Sequence, residues 1–444
     1  MNLLVALGLV LVAILGAPLF SVLAGSALFA FWRQEISSSA VVTEMARLAT
    51  SPILISIPMF TFAGYLFAES RTPQRLVRVT SAFFGWIPGS LAIVAMVACA
   101  IFTAFTGGSG VTIVAMGGLL MPALMAVGFR ERYSLGLLTT SGSLGFLFPP
   151  SLPMILYSFV ATQAASGLGL PPGATPDVDK LFLAGLLPGV FLIALLGVMA
   201  VAQGRGREVQ RTSFREGMRD LWPAVKEAAW EIPLPFIILG GIFGGKLTVT
   251  EAATVTAIYA LLVEVVIYRD IKWSRIPAIA TESMTLVGAI LMILGSAMGL
   301  TNYLIDAEVP MRVLEWIRTF ITNKITFLLV LNVFLLIIGS LMEIFSALIV
   351  IPLILPIALE YDVDLVHLGI IFLTNLEIGF LTPPFGLNLF ISSFRFRRSV
   401  TEVYRATVPF LIVLAIALLV ITYWPDLSLW LPRLYGKGSA LPGN

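Results

Sequence analysis

The sequence predicts an all-α polytopic membrane protein built from inverted repeats, with two re-entrant helical hairpins and two discontinuous helices. Four observations lead there. Of the 444 residues, 58% are hydrophobic and 12% charged, with a mean hydropathy of +0.99. Apolar runs of about 18 to 30 residues recur from end to end, the length a helix needs to cross a bilayer. Two of the longest apolar stretches are interrupted at mid-depth by Gly/Ser-rich or acidic residues. Finally, one helix breaker is written twice, as GFLFPP from Gly145 and GFLTPP from Gly379.

The apolar segments fall at about 5–31, 50–68, a split 90–127, 133–162, 181–203, 232–246, 250–268, 278–304, a second split 325–360, 365–394 and 407–424. The run from Leu3 to Trp32 has no basic region before it and no small-residue cleavage site after it, so it reads as a retained span. If the split segments re-enter on their own side, nine full crossings remain. An inside N-terminus then puts 18 of the 27 Lys and Arg residues in cytoplasmic loops. The positive-inside rule therefore predicts a cytoplasmic N-terminus and an external C-terminus.

In SLAIVAMVACAIFTAFTGGSGVTIVAMGGLLMPALMAV each limb around Thr106–Gly110 has about 16 residues. That is roughly 24 Å of helix, short of a ~30 Å hydrocarbon core. The second candidate hairpin, TFLLVLNVFLLIIGSLMEIFSALIVIPLILPIALE, breaks at Gly339–Glu343 in the same way. Non-helical backbone at that depth is tolerated only where protein or a water-filled cavity satisfies it, so both tips should face inward.

The repeat extends beyond the proline pairs. At an offset of 234 residues, Pro122 aligns with Pro356, Thr140 with Thr374, Ser141 with Asn375 and Gly145 with Gly379. An odd number of crossings separates corresponding elements, so the copies should be inverted. Inverted repeats with broken helices are the architecture of secondary transporters, with the site near the midplane between the repeats. Between the spans, REVQRTSFREGMRDLWPAVKEAAW has the periodicity of an amphipathic interfacial helix, and shorter arms at about 72–87 and 308–322 precede the hairpins.

The stretches TGGSGVTIVAMGGLLMPAL, GSLGFLFPPSLPMILYS, IPLILPIAL and NLEIGFLTPPFGLNLF resemble the large membrane subunit of tripartite ATP-independent periplasmic (TRAP) transporters over nearly the whole chain. The resemblance implies an elevator-type transport domain, a scaffold, and a place in the bacterial inner membrane. It also implies a small four-helix membrane subunit and a periplasmic substrate-binding protein as partners, a small organic acid as substrate, and Na+ as coupling ion. The division it suggests is 1–68 scaffold, 69–89 arm and 90–162 transport domain. Next come 163–304 scaffold including the amphipathic helix at 204–231, 305–324 arm, 325–394 transport domain, and 395–444 interfacial segment, final span and external tail. The first tip departs from the family, since TGGSG followed by Val111 replaces a Ser/Ala-rich sequence.

Sodium takes about five or six hard oxygens, which free carbonyls, hydroxyls and amides supply without a large desolvation cost. Thr106, Gly107, Ser109, Ser141, Ser143 and Gly145 are the candidates at the first tip and break. Gly339, Ser340, Glu343, Thr374, Asn375, Gly379 and Thr382 are those at the second. Each lone hydroxyl has an alternative, back-bonding to a carbonyl of its own helix. Pro149, Pro150, Ser151, Glu377, Pro383, Pro384 and Asn388 are the helix-break and substrate-facing candidates. Glu343 and Glu377 are the carboxylates within the repeat cores, either coordinating an ion or acting as hydrogen-bonded struts.

Three other classes compete with this reading. GGSG at Gly107–Gly110 matches a short motif of intramembrane serine proteases, with His367 as the sole histidine available as base. The spans place His367 in a solvated outer loop, which argues against that enzyme. A stand-alone sodium/anion symporter lacks only the partners, and a pure scaffold leaves the broken helices without purpose. A single cysteine, Cys99, and one histidine leave no transition-metal site, and no organic cofactor or nucleic acid is expected; the lipid bilayer is the surrounding partner.

Overall fold

The computed structural model describes residues 8, 11, 12, 17–33, 39, 42, 43, 46, 48, 51–87, 89–171, 174–204 and 213–436. Parts of the predicted first span, residues 205–212 before the amphipathic helix, and the tail from 437 lie outside the described residues. Every regular element among the described residues is helical. Among the described residues, seven helices are long and apolar enough to cross a membrane, or eight if one pair bent by 46° counts as a span. The chain is thus a multi-pass membrane protein.

The first helices are α1 (Leu19–Arg33), α2 (Pro52–Glu69) and α3 (Thr72–Phe84), the last lying in the predicted first arm. The first hairpin follows as α4 (Ser90–Thr106) and α5 (Ser109–Ala126), joined by a turn in which Gly107 takes φ +68°. Pro122 lies inside α5 without ending it.

The first discontinuous helix is α6 (Glu131–Ser141), a 3-10 turn at Leu144–Leu147, and α7 (Leu152–Gly167). Pro149 and Pro150 offer no N–H to continue the ladder, and the Ser151 hydroxyl donates to the Phe146 carbonyl at 2.6 Å, closing the turn from within. A long helix, α8 (Val178–Gly204), then leads to the amphipathic α9 (Phe214–Glu227), which starts on a Ser213/Glu216 capping box. Next come α10 (Pro233–Phe243), α11 (Val249–Leu261), α12 (Ile276–Asp306) and the second arm α13 (Val309–Arg318). The expected span at 232–246 is cut to 11 residues by α10, about 16 Å of helix, because Gly244 and Gly245 end it early. At Leu262–Ile267 the end of α11 widens into a π turn.

The second hairpin is α14 (Lys324–Leu341), an extended tip at Met342–Glu343, the short α15 (Ile344–Ala347) and α16 (Ile351–Glu360). The second discontinuous helix comprises α17 (Leu365–Gly379) and α18 (Leu387–Phe396). The last long helix, α19 (Val400–Tyr423), begins seven residues before the expected 407, because a Ser399/Glu402 capping box starts it there. A short α20 (Asp426–Leu434) packs back onto α8.

Packing follows the same plan in both halves. The first limb of each hairpin lies on the break of its own half: α4 touches the 3-10 turn at Gly145, and α14 touches α17 at Gly379. The second limbs cross over, α5 onto α18 and α16 onto α7. The long helices do likewise, α8 against α17 and α19 against α6. At the centre Phe146 meets Phe380, the same residue of each GFL motif, edge to face with centroids 6.0 Å apart. Helices α8 and α19 therefore pack with the broken helices.

These close crossings explain the two repeated glycines. A Cβ on Gly145 would lie 2.4 Å from the Ala100 carbonyl oxygen, and one on Gly379 would lie 2.5 Å from the Gly339 carbonyl carbon. Both neighbours are backbone, so no side chain can move aside.

Candidate functional site

Helix α17 positions the second group of polar residues. The Asn375 amide donates to Asn332 Oδ1 of α14 at 2.7 Å and to the Ile371 carbonyl at 2.8 Å, and Asn332 in turn donates to Thr422 Oγ1 at 3.0 Å. The network binds hairpin, broken helix and α19, yet Asn375 Oδ1, fully buried, has no hydrogen-bond partner. The tip of the second hairpin closes on this break, with the Gly386 N–H donating to the Ser340 carbonyl at 3.2 Å.

The first group is assembled from both halves. Asn388, on α18, donates to Ser143 Oγ at 3.3 Å and to the Thr139 carbonyl at 3.4 Å, while its own Oδ1 is buried without a partner. Thr103 holds the break from the hairpin side, donating to the Gly142 carbonyl at 2.9 Å and sharing a 2.7 Å bond with Thr112. Thr106 Oγ1 at the tip and Thr140 Oγ1 on α6 are likewise buried and unpartnered. Buried polar oxygens nearly always find a partner, and among the described residues four that have none, on Thr106, Thr140, Asn375 and Asn388, flank the two breaks.

Several predicted hydroxyls bond to a carbonyl three or four residues back: Ser141 to Leu137, Ser340 to Ile337 and Thr374 to Ile370 within their helices, and Thr382, in the break, to Ile378 of α17. Back-bonding uses the hydrogen of a hydroxyl and leaves an oxygen lone pair to accept or coordinate. Ser109 is buried at the start of α5, beside Gly107 and Gly108. Glu343 sits at the second tip, its carbonyl accepting from the Ser346 and Ala347 amides. Glu377 is fully buried and neither carboxylate oxygen has a hydrogen-bond partner, so the strut expected of it is absent among the described residues. It lies two residues beyond Asn375, about 200° round the helix, on the opposite face. The two cannot share one ion.

The proline pairs differ in surroundings. Pro149, Pro150 and Ser151 are buried, whereas Pro383, Pro384 and Phe385 are exposed. One break is therefore covered and the other open in this conformation.

His367 is a correction. It is buried in the first turn of α17, its ring nitrogens 3.2 Å from Ser428 Oγ and from the Thr422 carbonyl, because α20 folds over it. Committed there, it cannot serve Ser109 as a catalytic base.

Sequence reasoning missed Asn332, Thr103, Thr112 and Thr422. Asn332 lies in the middle of an apolar limb, and a lone Asn among NVFLLII was the signal for it. Also unforeseen is the way the first arm is anchored. Arg75, 5% exposed, pairs with Glu231, with Glu264 at 3.0 Å and with Asp270 at 2.8 Å, and lies 4.0 Å from the centre of the Tyr268 ring. Burial pulls its guanidinium down, but the Glu231, Asp270 and Glu264 carboxylates more than offset this and hold it above its ordinary value. The π turn aims Glu264 at this cluster.

Comparison with known proteins shows the family. A family model described as "Tripartite ATP-independent periplasmic transporter, DctM component" matches residues 4–427. The chain is 35% identical to the C4-dicarboxylate TRAP transporter large permease protein DctM of Pseudomonas aeruginosa, over 86% of this chain and 87% of that one. It is 30% identical to the isethionate TRAP transporter permease protein DctMQ of Oleidesulfovibrio alaskensis, covering 96% and 69%. To the ectoine/5-hydroxyectoine TRAP transporter large permease protein UehC of Ruegeria pomeroyi it is also 30% identical, over 96% and 97%. In fold it resembles the YdaH transporter of Alcanivorax borkumensis, with a TM-score of 0.61, 13% identity and 87% of each chain covered.

Proposed function

The chain belongs to the tripartite ATP-independent periplasmic transporter family as a DctM component, a transport subunit and not an enzyme; from this premise we propose that it imports small organic acids, coupled to sodium, by an elevator mechanism. A periplasmic binding protein would deliver the substrate, and a small membrane subunit would complete the permease in the bacterial inner membrane. The relatives named for C4-dicarboxylates and isethionate support the substrate class, and the DctMQ relative supports a permease partner. The N-terminus is assigned to the cytoplasm on the distribution of Lys and Arg.

The observation that carries the reading is the set of buried, unpartnered oxygens on Thr106, Thr140, Asn375 and Asn388 beside the two helix breaks. They are neutral, hard ligands of the kind a sodium ion takes, and no His/Cys/Asp/Glu cluster for another metal occurs among the described residues. Asn388 and Ser143, with Thr140 and Thr106, would hold one ion; Asn375 and Thr374 would hold the other. Bound sodium would supply the positive charge on which the membrane potential acts, about 2.3 kcal/mol per charge per 100 mV. Asn332 and Thr103 fix the ligands, and the proline pairs keep the breaks from closing into continuous helix. Substrate anions would be met by the helix N-termini at Leu152 and Leu387, since the break segments 142–151 and 380–386 contain no Lys or Arg.

Motion would occur where α2 meets the first hairpin. Gly64 of α2 lies against the backbone of Phe105 and Thr106, so a Cβ there would stand 2.6 Å from the Thr106 Cα. Hairpins, broken helices, α8 and α19 would shift together against α1–α3 and α10–α12. The two halves pack as equivalent partners, which supports a second conformation with the coverage of the proline pairs exchanged. Reconstitution with the small subunit and loaded binding protein tests the proposal. Uptake should need a sodium gradient, and uptake that persists unchanged in potassium or choline would sink it.

A further inference from the structure

An apolar cavity of about 530 Å³ lies between α3 and α10 on one side and the first hairpin and α8 on the other. On one side are Leu76 of the arm and Phe236 of α10; on the other are Val97 and Ile101 of the first hairpin, Phe148 at the first break, and Leu186 of α8. Its polar lining is confined to three residues. The Thr80 hydroxyl already donates to the Leu76 carbonyl at 2.7 Å, while Thr72 and Glu231 adjoin one another at 3.1 Å. Val190 and Phe236 at the rim are 55% and 73% exposed, so the cavity opens sideways to the surroundings of the spans.

We propose that this cavity holds one acyl chain of a phospholipid whose headgroup carries an amine. A wall of this composition gives water no partners, and left empty it forfeits dispersion contacts on every side. In a bilayer the abundant apolar group that can enter from the side is a lipid tail. The headgroup follows from charge. Next to Thr72 and Glu231 the Arg75 cluster sets the carboxylates of Glu231, Glu264 and Asp270 against two guanidiniums, those of Arg75 and of Arg71, the latter 3.9 Å from Asp270, a surplus of one negative charge. An amine is attracted there and a purely anionic headgroup is repelled. The tail spans the boundary across which the units would slide, so it must yield during transport; that consequence rests on the proposed motion, whereas the lipid site does not.

The test uses the whole protein in liposomes containing phosphatidylethanolamine with a diazirine on its acyl chain. After irradiation, residues 97–105 and 186–193 should carry several-fold more label than the outward face of α14 at 329–337. Val97→Phe and Leu186→Phe, each filling the cavity, should lower the cavity label and leave the α14 label unchanged. A phosphatidylglycerol analogue should label the cavity less. Label no higher than on α14, or unaffected by both fillings, overturns the site, as does a protein cross-link replacing the lipid there. Equal labelling by phosphatidylglycerol overturns the headgroup assignment. Lipid label in a protein whose transport is independent of sodium refutes the proposed coupling and leaves this site standing.

Discussion

Replacing Gly379 with Ala probes the contact on which the second break depends. The added methyl would meet Gly339 carbon at 2.5 Å, with the Gly339 Cα at 2.6 Å and its carbonyl oxygen at 3.0 Å. Ordinary contact begins at 3.4 Å, so α14 and α17 must separate by roughly 0.9 Å, the amount by which 2.5 Å falls short of it. Overpacking of this kind costs about 1–3 kcal/mol. If that strain falls on the ion-bound arrangement, half-saturation by sodium rises by roughly 5- to 150-fold. Gly197→Ala is the control, since nothing lies within 4 Å of its added Cβ. It should be neutral or gain up to about 1 kcal/mol of helix propensity. The assay is thermal unfolding with and without sodium, together with the sodium dependence of uptake by the reconstituted permease. If Gly379→Ala matches Gly197→Ala in both, the close crossing does not hold the site and the reasoning is wrong.

Changing Pro383 and Pro384 together to Ala should let α17 and α18 join and weaken sodium dependence, while expression and partner assembly persist; Pro149 and Pro150 should behave alike, and Pro171→Ala should have no effect. Arg75→Ala leaves three carboxylates without their cation and should cost about 3–5 kcal/mol, read as a fall in unfolding temperature. Gly64→Ala should slow uptake far more than it changes sodium binding, because it jams α2 against the first tip. With Cys99 replaced by Ala, the pair Phe67→Cys and Phe105→Cys, whose native ring centroids are 5.7 Å apart, should cross-link in one state and stop transport. Equal cross-linking with and without sodium, with uptake intact, contradicts a moving boundary.

Much of the fold was legible because membrane helices obey local rules. Apolar length gave the long spans, and the repeated GFL-x-PP gave both breaks, since proline acts on its own turn. Boundaries set by caps were less visible: Ser399/Glu402 starts α19 early, and Gly244–Gly245 shortens α10. Residue type and nearness to a break pick out Asn375 as an ion ligand but Asn388 only as a substrate-facing residue, and Thr140 only as half of a repeat pair. Asn332 and Thr103 were missed because their value comes from tertiary contact, 43 residues from Asn375 in one case and 39 from Gly142 in the other. His367 was placed in a loop because α20, which buries it, follows 60 residues later in an amphipathic segment without span-like hydropathy.

Sodium binding by the purified chain is the most direct measurement. Titration with radioactive sodium should saturate in the wild type. It should weaken at least about tenfold in Asn375→Leu and in Asn388→Leu, a change of ~1.4 kcal/mol each, and the rise in unfolding temperature that sodium brings to the wild type should shrink in both. Wild-type affinity in both variants, or no saturable sodium binding by the wild-type protein, would contradict the assignment of the paired breaks as the ion sites.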